Sequence, residues 1–163
     1  TPNGRRIMIK QTILSVALAL AFGGPALAAG EAHEHGHGAH DAKLTLNHGK
    51  KWQTDAPLRQ GMENIRAALA GDLKTIHADK AGAKQYEALA AKLEGEVAYV
   101  VQNCKLDPEA DAQLHLVIAE VLGGAEAMQG KEKGVTRRAG AVRVVKALNE
   151  YGKYFDHPGW RKL

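Results

Sequence analysis

The chain has 163 residues, with 22 Lys+Arg against 18 Asp+Glu and a formal net charge of +4. Setting aside an N-terminal stretch of 28 residues read below as an export signal leaves 135 residues with 19 basic and 18 acidic side chains: one domain, with little electrostatic reason for a nucleic-acid partner. One cysteine, Cys104, excludes an intramolecular disulfide, a Cys-x-x-Cys redox pair and a thiolate-cluster metal site, and the single serine, Ser15, lies in the signal, which excludes a serine nucleophile from the rest.

Met8-Ile9-Lys10 reads as the start of a secretory signal. Thr12 to Phe22 forms its apolar stretch, and Ala26-Leu27-Ala28 supplies the small residues of a cleavage site, with Thr1 to Ile7 upstream of the true start. The competing reading is a membrane anchor, because no charge falls between Lys10 and Glu31; Gly23-Gly24-Pro25 breaks the apolar helix where an anchor would continue. No cysteine follows the apolar stretch to carry a lipid. Export to the bacterial periplasm, with no stable membrane anchor after cleavage, is therefore expected. An alternative cut after Gly30 would leave Glu31-Ala32-His33 at the amino terminus, where an amine, two amides and an imidazole make a square-planar nitrogen site suited to Cu(II) or Ni(II).

Residues 29–54 are expected to form a disordered histidine-rich tail and an extended connector. His33, His35, His37 and His40 alternate with glycine, alanine and glutamate, with nothing to bury, whereas Leu44, Leu46 and Trp52 mark the connector. Residues 55–163 read as an all-α domain. Asp55-Ala56-Pro57 opens a helix whose face carries Leu58, Met62, Ile65, Leu69, Leu73 and Ile76. Near Gly82 a second face begins, with Tyr86, Leu89, Leu93, Val97, Val100 and Cys104. Asp107-Pro108-Glu109 is expected to cap a third helix as Asp55 caps the first, and Leu114, Val117, Ile118, Val121, Leu122, Ala125 and Met128 form its stripe. After a polar turn from Gly130 to Gly134, the residues Val142, Val145, Leu148, Tyr151 and Phe155 mark a fourth helix, stopped by Pro158-Gly159. Four amphipathic helices joined by short turns predict an up-down-up-down four-helix bundle. Helical glycines at 61, 71, 95, 123, 124, 140 and 152 each cost about 1 kcal/mol against alanine, which leaves two readings: close helix approach, or space for a bound group.

With Met62-Glu63-x-Ile65 in the first helix and Leu148-Asn149-Glu150-Tyr151-Gly152-Lys153-Tyr154 in the last, the stretch from Pro57 to Phe155 resembles the periplasmic cytochrome b562 and cytochrome c′ bundles. The resemblance implies the four-helix fold, and implies that Met62 stands where that family can place a haem axial ligand. The opposing histidine of the family follows the last-helix tyrosine, and here that residue is Gly152. The covalent attachment motif of cytochrome c′ is replaced by Arg137-Arg138-Ala139-Gly140-Ala141. In wording, the chain is more similar to exported proteobacterial proteins labelled DnrO-like, at Leu46-Asn47-His48-Gly49-Lys50-Lys51-Trp52, at Asn103-Cys104-Lys105-Leu106 and at Tyr154-Phe155-Asp156-His157-Pro158-Gly159-Trp160. That likeness implies export and brings no activity with it.

The bundle topology gathers Met62, Cys104, His115 and His157 at one end, with His48 able to join them. Met62 and His115, at comparable depths on two core-facing helices, suit Cu(I) or a haem iron; otherwise methionine is core filler and His115 borders the stripe. Tyr151, Tyr154, Phe155, Trp160 and Trp52 crowd the same end, as a bundle floor or a pocket lining. His33-Glu34-His35-Gly36-His37 matches the zinc-protease string only in letters, since that chemistry needs a helix. As flexible ligands, His33, His35, His37, His40 and His48 suit Cu, Ni or Zn. No arrangement argues for catalysis. The function expected first is non-enzymatic handling of a transition metal, copper foremost. A b-type haem protein held by Met62 with His115 or His157 is the alternative, and a structural or stress-related interaction bundle with an incidental tail is the third reading.

Overall fold

The computed structural model describes residues 43–163; the export signal and His33, His35, His37 and His40 lie outside the described residues. Four helices carry the described chain: α1 (Ala56–His77), α2 (Ala83–Asn103), α3 (Pro108–Met128) and α4 (Arg137–Tyr154). The fold is all-α, and the only β pairings among the described residues are two isolated bridges.

Local chemistry accounts for the helix starts. At α1, Asp55 Oδ1 accepts the Leu58 N–H at 2.9 Å with Pro57 in the first turn, and at α4 the Thr136 hydroxyl oxygen accepts the Ala139 N–H at 3.1 Å. Asp107 does not repeat the role of Asp55, contrary to expectation: it occupies the cap position of α3 without a side-chain bond to the helix, and Glu109 and Asp111 in the first turn meet the positive end of the helix dipole instead.

The second oxygen of Asp55 shows how the helices are arranged. Asp55 Oδ2 accepts the Lys105 N–H at 2.6 Å, tying the turn between α2 and α3 to the start of α1. The end of α4 joins the same place, because Trp52 bridges Phe155: the Trp52 N–H donates to the Tyr154 carbonyl and the Asp156 N–H donates to the Trp52 carbonyl, both at 2.8 Å. The start of α1, the end of α2, the start of α3 and the end of α4 thus share one end, which is the up-down-up-down arrangement. The bridge also explains why α4 stops at Tyr154, short of Pro158: Phe155 turns extended to pair with Trp52.

Side chains fill the space between the helices. Leu58, Met62, Ile65, Leu69, Leu89, Leu93, Leu114, Met128, Leu148, Tyr151 and Phe155 are essentially inaccessible, and no polar or charged residue is buried among the described residues. The stripes expected on α1, α2 and α3 face inward, with Leu73 and Leu122 half-buried at their margins and Cys104 half-buried just past the end of α2.

On α4 the expected stripe is off by part of a turn. Gly140, Ala141, Val144, Ala147, Leu148 and Tyr151 are buried, while Val145 is half-buried and Val142 is 41% exposed. The cause lies on α3. A Cβ on Gly140 would stand 2.6 Å from the Gly124 carbonyl oxygen, and one on Gly124 would stand 2.7 Å from the Gly140 carbonyl oxygen. The two backbones touch at this glycine pair, and turning that line of α4 inward turns Val142 outward. Close approach therefore explains these glycines, as it does Gly61, whose missing side chain leaves room for Val100. Gly71 and Gly95 face open space instead.

Candidate functional site

The end of the bundle where connector and C-terminus meet carries the densest chemistry among the described residues. Tyr151, fully buried on α4, stacks on Phe155 at 5.1 Å between ring centroids and meets the edge of Trp160 at 4.9 Å. The Tyr151 hydroxyl and His157 Nδ1 are hydrogen-bonded at 3.0 Å, and the His157 ring lies 4.9 Å from that of Trp160. Burial holds the His157 imidazole below its ordinary pKa, with Glu63 on α1 working the other way and Arg59 and Arg66 reinforcing the shift. Burial likewise pushes the Tyr151 phenol well up.

Glu63 is engaged on its own helix. Arg66, with its side chain 14% exposed, forms a fork on Glu63 with contacts of 2.6 to 3.1 Å, and this bond holds the Glu63 carboxyl below the usual range. This pair escapes sequence reading, because a Glu and Arg three residues apart on a helix are commonplace and only burial distinguishes this one.

The four residues expected at this end belong to the helix ends that meet there, but they face different surroundings. Met62 is 1% exposed and packs in the core. His115 does not face the core as expected. It follows Leu114 by one residue, a rotation of about 100° that carries it to the solvent side, and its side chain is 62% exposed. There His115 Nδ1 lies 2.9 Å from the Asp111 carbonyl oxygen one turn back and 3.4 Å from the Asp111 carboxylate. Cys104 is not on the buried face of α2 but caps its end in extended conformation, half-buried. Burial, then Asp55 and Asp111, push its thiol up, away from the reactive thiolate. His157 is half-buried among Tyr151 and Trp160, and no group of three or more His, Cys, Asp or Glu that could hold a metal ion occurs among the described residues.

His48 lies apart, at the tip of a two-residue hairpin. Asn47 and Lys50 exchange backbone hydrogen bonds of 2.9 and 2.8 Å around His48 (φ 48°) and Gly49 (φ 82°). Both central residues have positive φ, as in the tight hairpin turns that favour glycine at the second position. The His48 side chain is exposed, on backbone held by that turn.

These placements do not fit a haem held between α1 and α4. At Gly152, where the resemblance puts the opposing ligand, a Cβ would stand 2.5 Å from Trp160 Nε1, so the indole covers the face from which a ligand would extend. Trp160 Nε1 is itself buried without a hydrogen-bond partner, on the Cδ1–Nε1 edge that the indole turns toward Gly152. Met62 is enclosed by core side chains and His115 points outward, so neither meets the other across the bundle.

No family model, no curated protein and no solved structure matches this chain.

Proposed function

We propose that this chain is an exported, non-enzymatic transition-metal-binding protein, copper foremost, whose ligands are imidazoles at the N-terminal side of the bundle rather than side chains in its core. The observation that carries the reading is the density of imidazole in the sequence. His33, His35, His37 and His40 fall within eight residues of sequence, and His48, eight residues further on, is exposed at the tip of an ordered turn. Imidazole nitrogen binds Cu(II), Ni(II) and Zn(II) without a preformed cage, provided the rings are neutral and accessible. The bundle supports the same division of labour. Its interior is packed with apolar side chains, which suits a carrier whose binding chemistry lies outside the core.

The test is a titration of untagged protein with Cu(II), Ni(II) and Zn(II), comparing the full chain with a variant lacking residues 29–40. The deletion is expected to remove most uptake with helicity and melting temperature unchanged, because no side chain larger than glutamate or histidine and none more apolar than alanine is lost. His48→Ala is expected to weaken what remains. Uptake should fall as the pH drops through about 6.5, where imidazoles take up protons. Equal uptake by the truncated protein would refute the assignment.

A further inference from the structure

The turn of α4 that buries Gly140 leaves an apolar residue unused by the core. Val142 stands 41% exposed in a shallow concavity of about 410 Å³ on the outer face of α4, with Thr136, Arg138, Ala139, Arg143 and Lys146 as the other lining residues. No carboxylate among the described residues lines it. Arg138, Val142 and Lys146 follow at steps of four, so two cations lie about 12 Å apart along the helix with the valine midway.

The charges on this face have unequal duties. Arg143 is paired, its guanidinium bonded to Glu120 at 2.8 and 3.1 Å and lying 3.7 Å from Glu132. Arg137, on the neighbouring face, donates to the Met128 carbonyl and pairs with Glu87 at 3.1 Å. Arg138 and Lys146 have no carboxylate within ion-pair distance among the described residues. Arg138 is also in the first turn of α4, which contains no acid, so its charge sits at the positive end of the helix dipole. A guanidinium there works against the helix, and neither the core nor a salt bridge among the described residues accounts for it.

We propose that this face of α4, from Thr136 to Lys146, is a docking surface for an acidic helical segment of another protein, with carboxylates about two turns apart meeting Arg138 and Lys146 and an apolar side chain between them seated on Val142 and Ala139. Charge complementarity selects the occupant: a surface with two cations that have no ion-pair partner among the described residues, no lining carboxylate among them and a small apolar centre recognises acids that flank an apolar anchor. Binding of this kind is salt-sensitive, since its cations are exposed.

The test uses the full chain, labelled with nitrogen-15, and a synthetic helical peptide with glutamates two turns apart flanking a leucine. At low salt the expected result is saturable shifts confined to residues 136–146. Affinity should be about tenfold weaker in Arg138→Glu/Lys146→Glu and about three- to tenfold weaker in Val142→Ala. The double variant keeps its fold, because neither side chain makes a hydrogen bond or ion pair among the described residues and a glutamate at 138 suits the helix start, so its melting temperature should equal or exceed that of the parent. Shifts that are absent, that spread over other lysine-bearing faces, or that survive the charge reversal overturn the proposal. Flotation with phosphatidylglycerol vesicles that depends on Arg138 and Lys146, without peptide binding, overturns it in favour of a lipid surface. Self-association abolished by the same reversal overturns it in favour of a second copy of the chain.

Discussion

Replacing Gly140 by alanine adds one methyl group where α3 and α4 touch, and its effect can be worked from the surroundings. The new Cβ would stand 2.6 Å from the Gly124 carbonyl oxygen, 2.8 Å from the Met128 nitrogen and 2.9 Å from the Ala127 Cβ. Two of these are backbone atoms and the third is fixed to the backbone, so no side-chain rotation relieves the contact. The helices must part by roughly 0.8 Å to restore ordinary separation, which loosens Val144, Leu148, Val121 and Ala125 across the same interface. Overpacking of this kind costs about 1–3 kcal/mol, against which alanine returns up to about 1 kcal/mol of helix propensity. A net loss of about 1–2 kcal/mol is expected. Gly71→Ala is the matched control: it makes the same chemical change in an exposed part of a helix with nothing within 4 Å of the new atom, and should stabilise by up to about 1 kcal/mol. Urea unfolding followed by circular dichroism, with the slope unchanged between variants, should separate the two by about 1–3 kcal/mol. If both substitutions stabilise alike, the backbones do not touch at Gly124 and Gly140, and the glycines are there for another reason, such as room for a bound group.

Asp55→Ala removes both the cap of α1 and the bond to the Lys105 N–H, so it should cost more than an ordinary cap deletion, about 1.5–3 kcal/mol by urea unfolding; Asp107→Ala, with no cap bond to lose, should cost under about 0.5 kcal/mol. Gly152→Ala should displace the Trp160 indole, seen as a red shift of its emission in a Trp52→Phe background, while leaving far-ultraviolet dichroism intact; an unmoved emission spectrum would contradict the contact. Because the folded protein holds His157 below its ordinary pKa, the folded state binds fewer protons than the unfolded one near that residue. Its contribution to stability is present above about 6.5 and declines as the pH falls below that value, and the decline should be smaller in His157→Gln when urea midpoints are compared from pH 8 to pH 5.

Much of this architecture is determined by the sequence at short range. Caps at Asp55 and Thr136, prolines in the first turns of α1 and α3, and apolar residues at steps of three and four decide where helices begin and which face of α1, α2 and α3 turns inward, because each depends on neighbours within about two turns. The run of imidazoles between His33 and His40 is likewise a matter of sequence. Tertiary structure decided the rest. On α4 two overlapping apolar lines compete, one through Val142 and Val145 and one through Ala141, Val144 and Leu148, and the contact of Gly140 with Gly124 on another helix selects the second. His115 lies next to a core residue in sequence yet outside the core in space, since one step along a helix is a rotation of about 100°. Trp52 and Phe155, Asp55 and Lys105, and Trp160 over Gly152 are pairings whose partners are set by which helix ends and connecting segments meet in space. Periodicity specifies a helix face only to within part of a turn, and the last part of that turn is settled by the atoms of the neighbouring helix, which must close-pack against it.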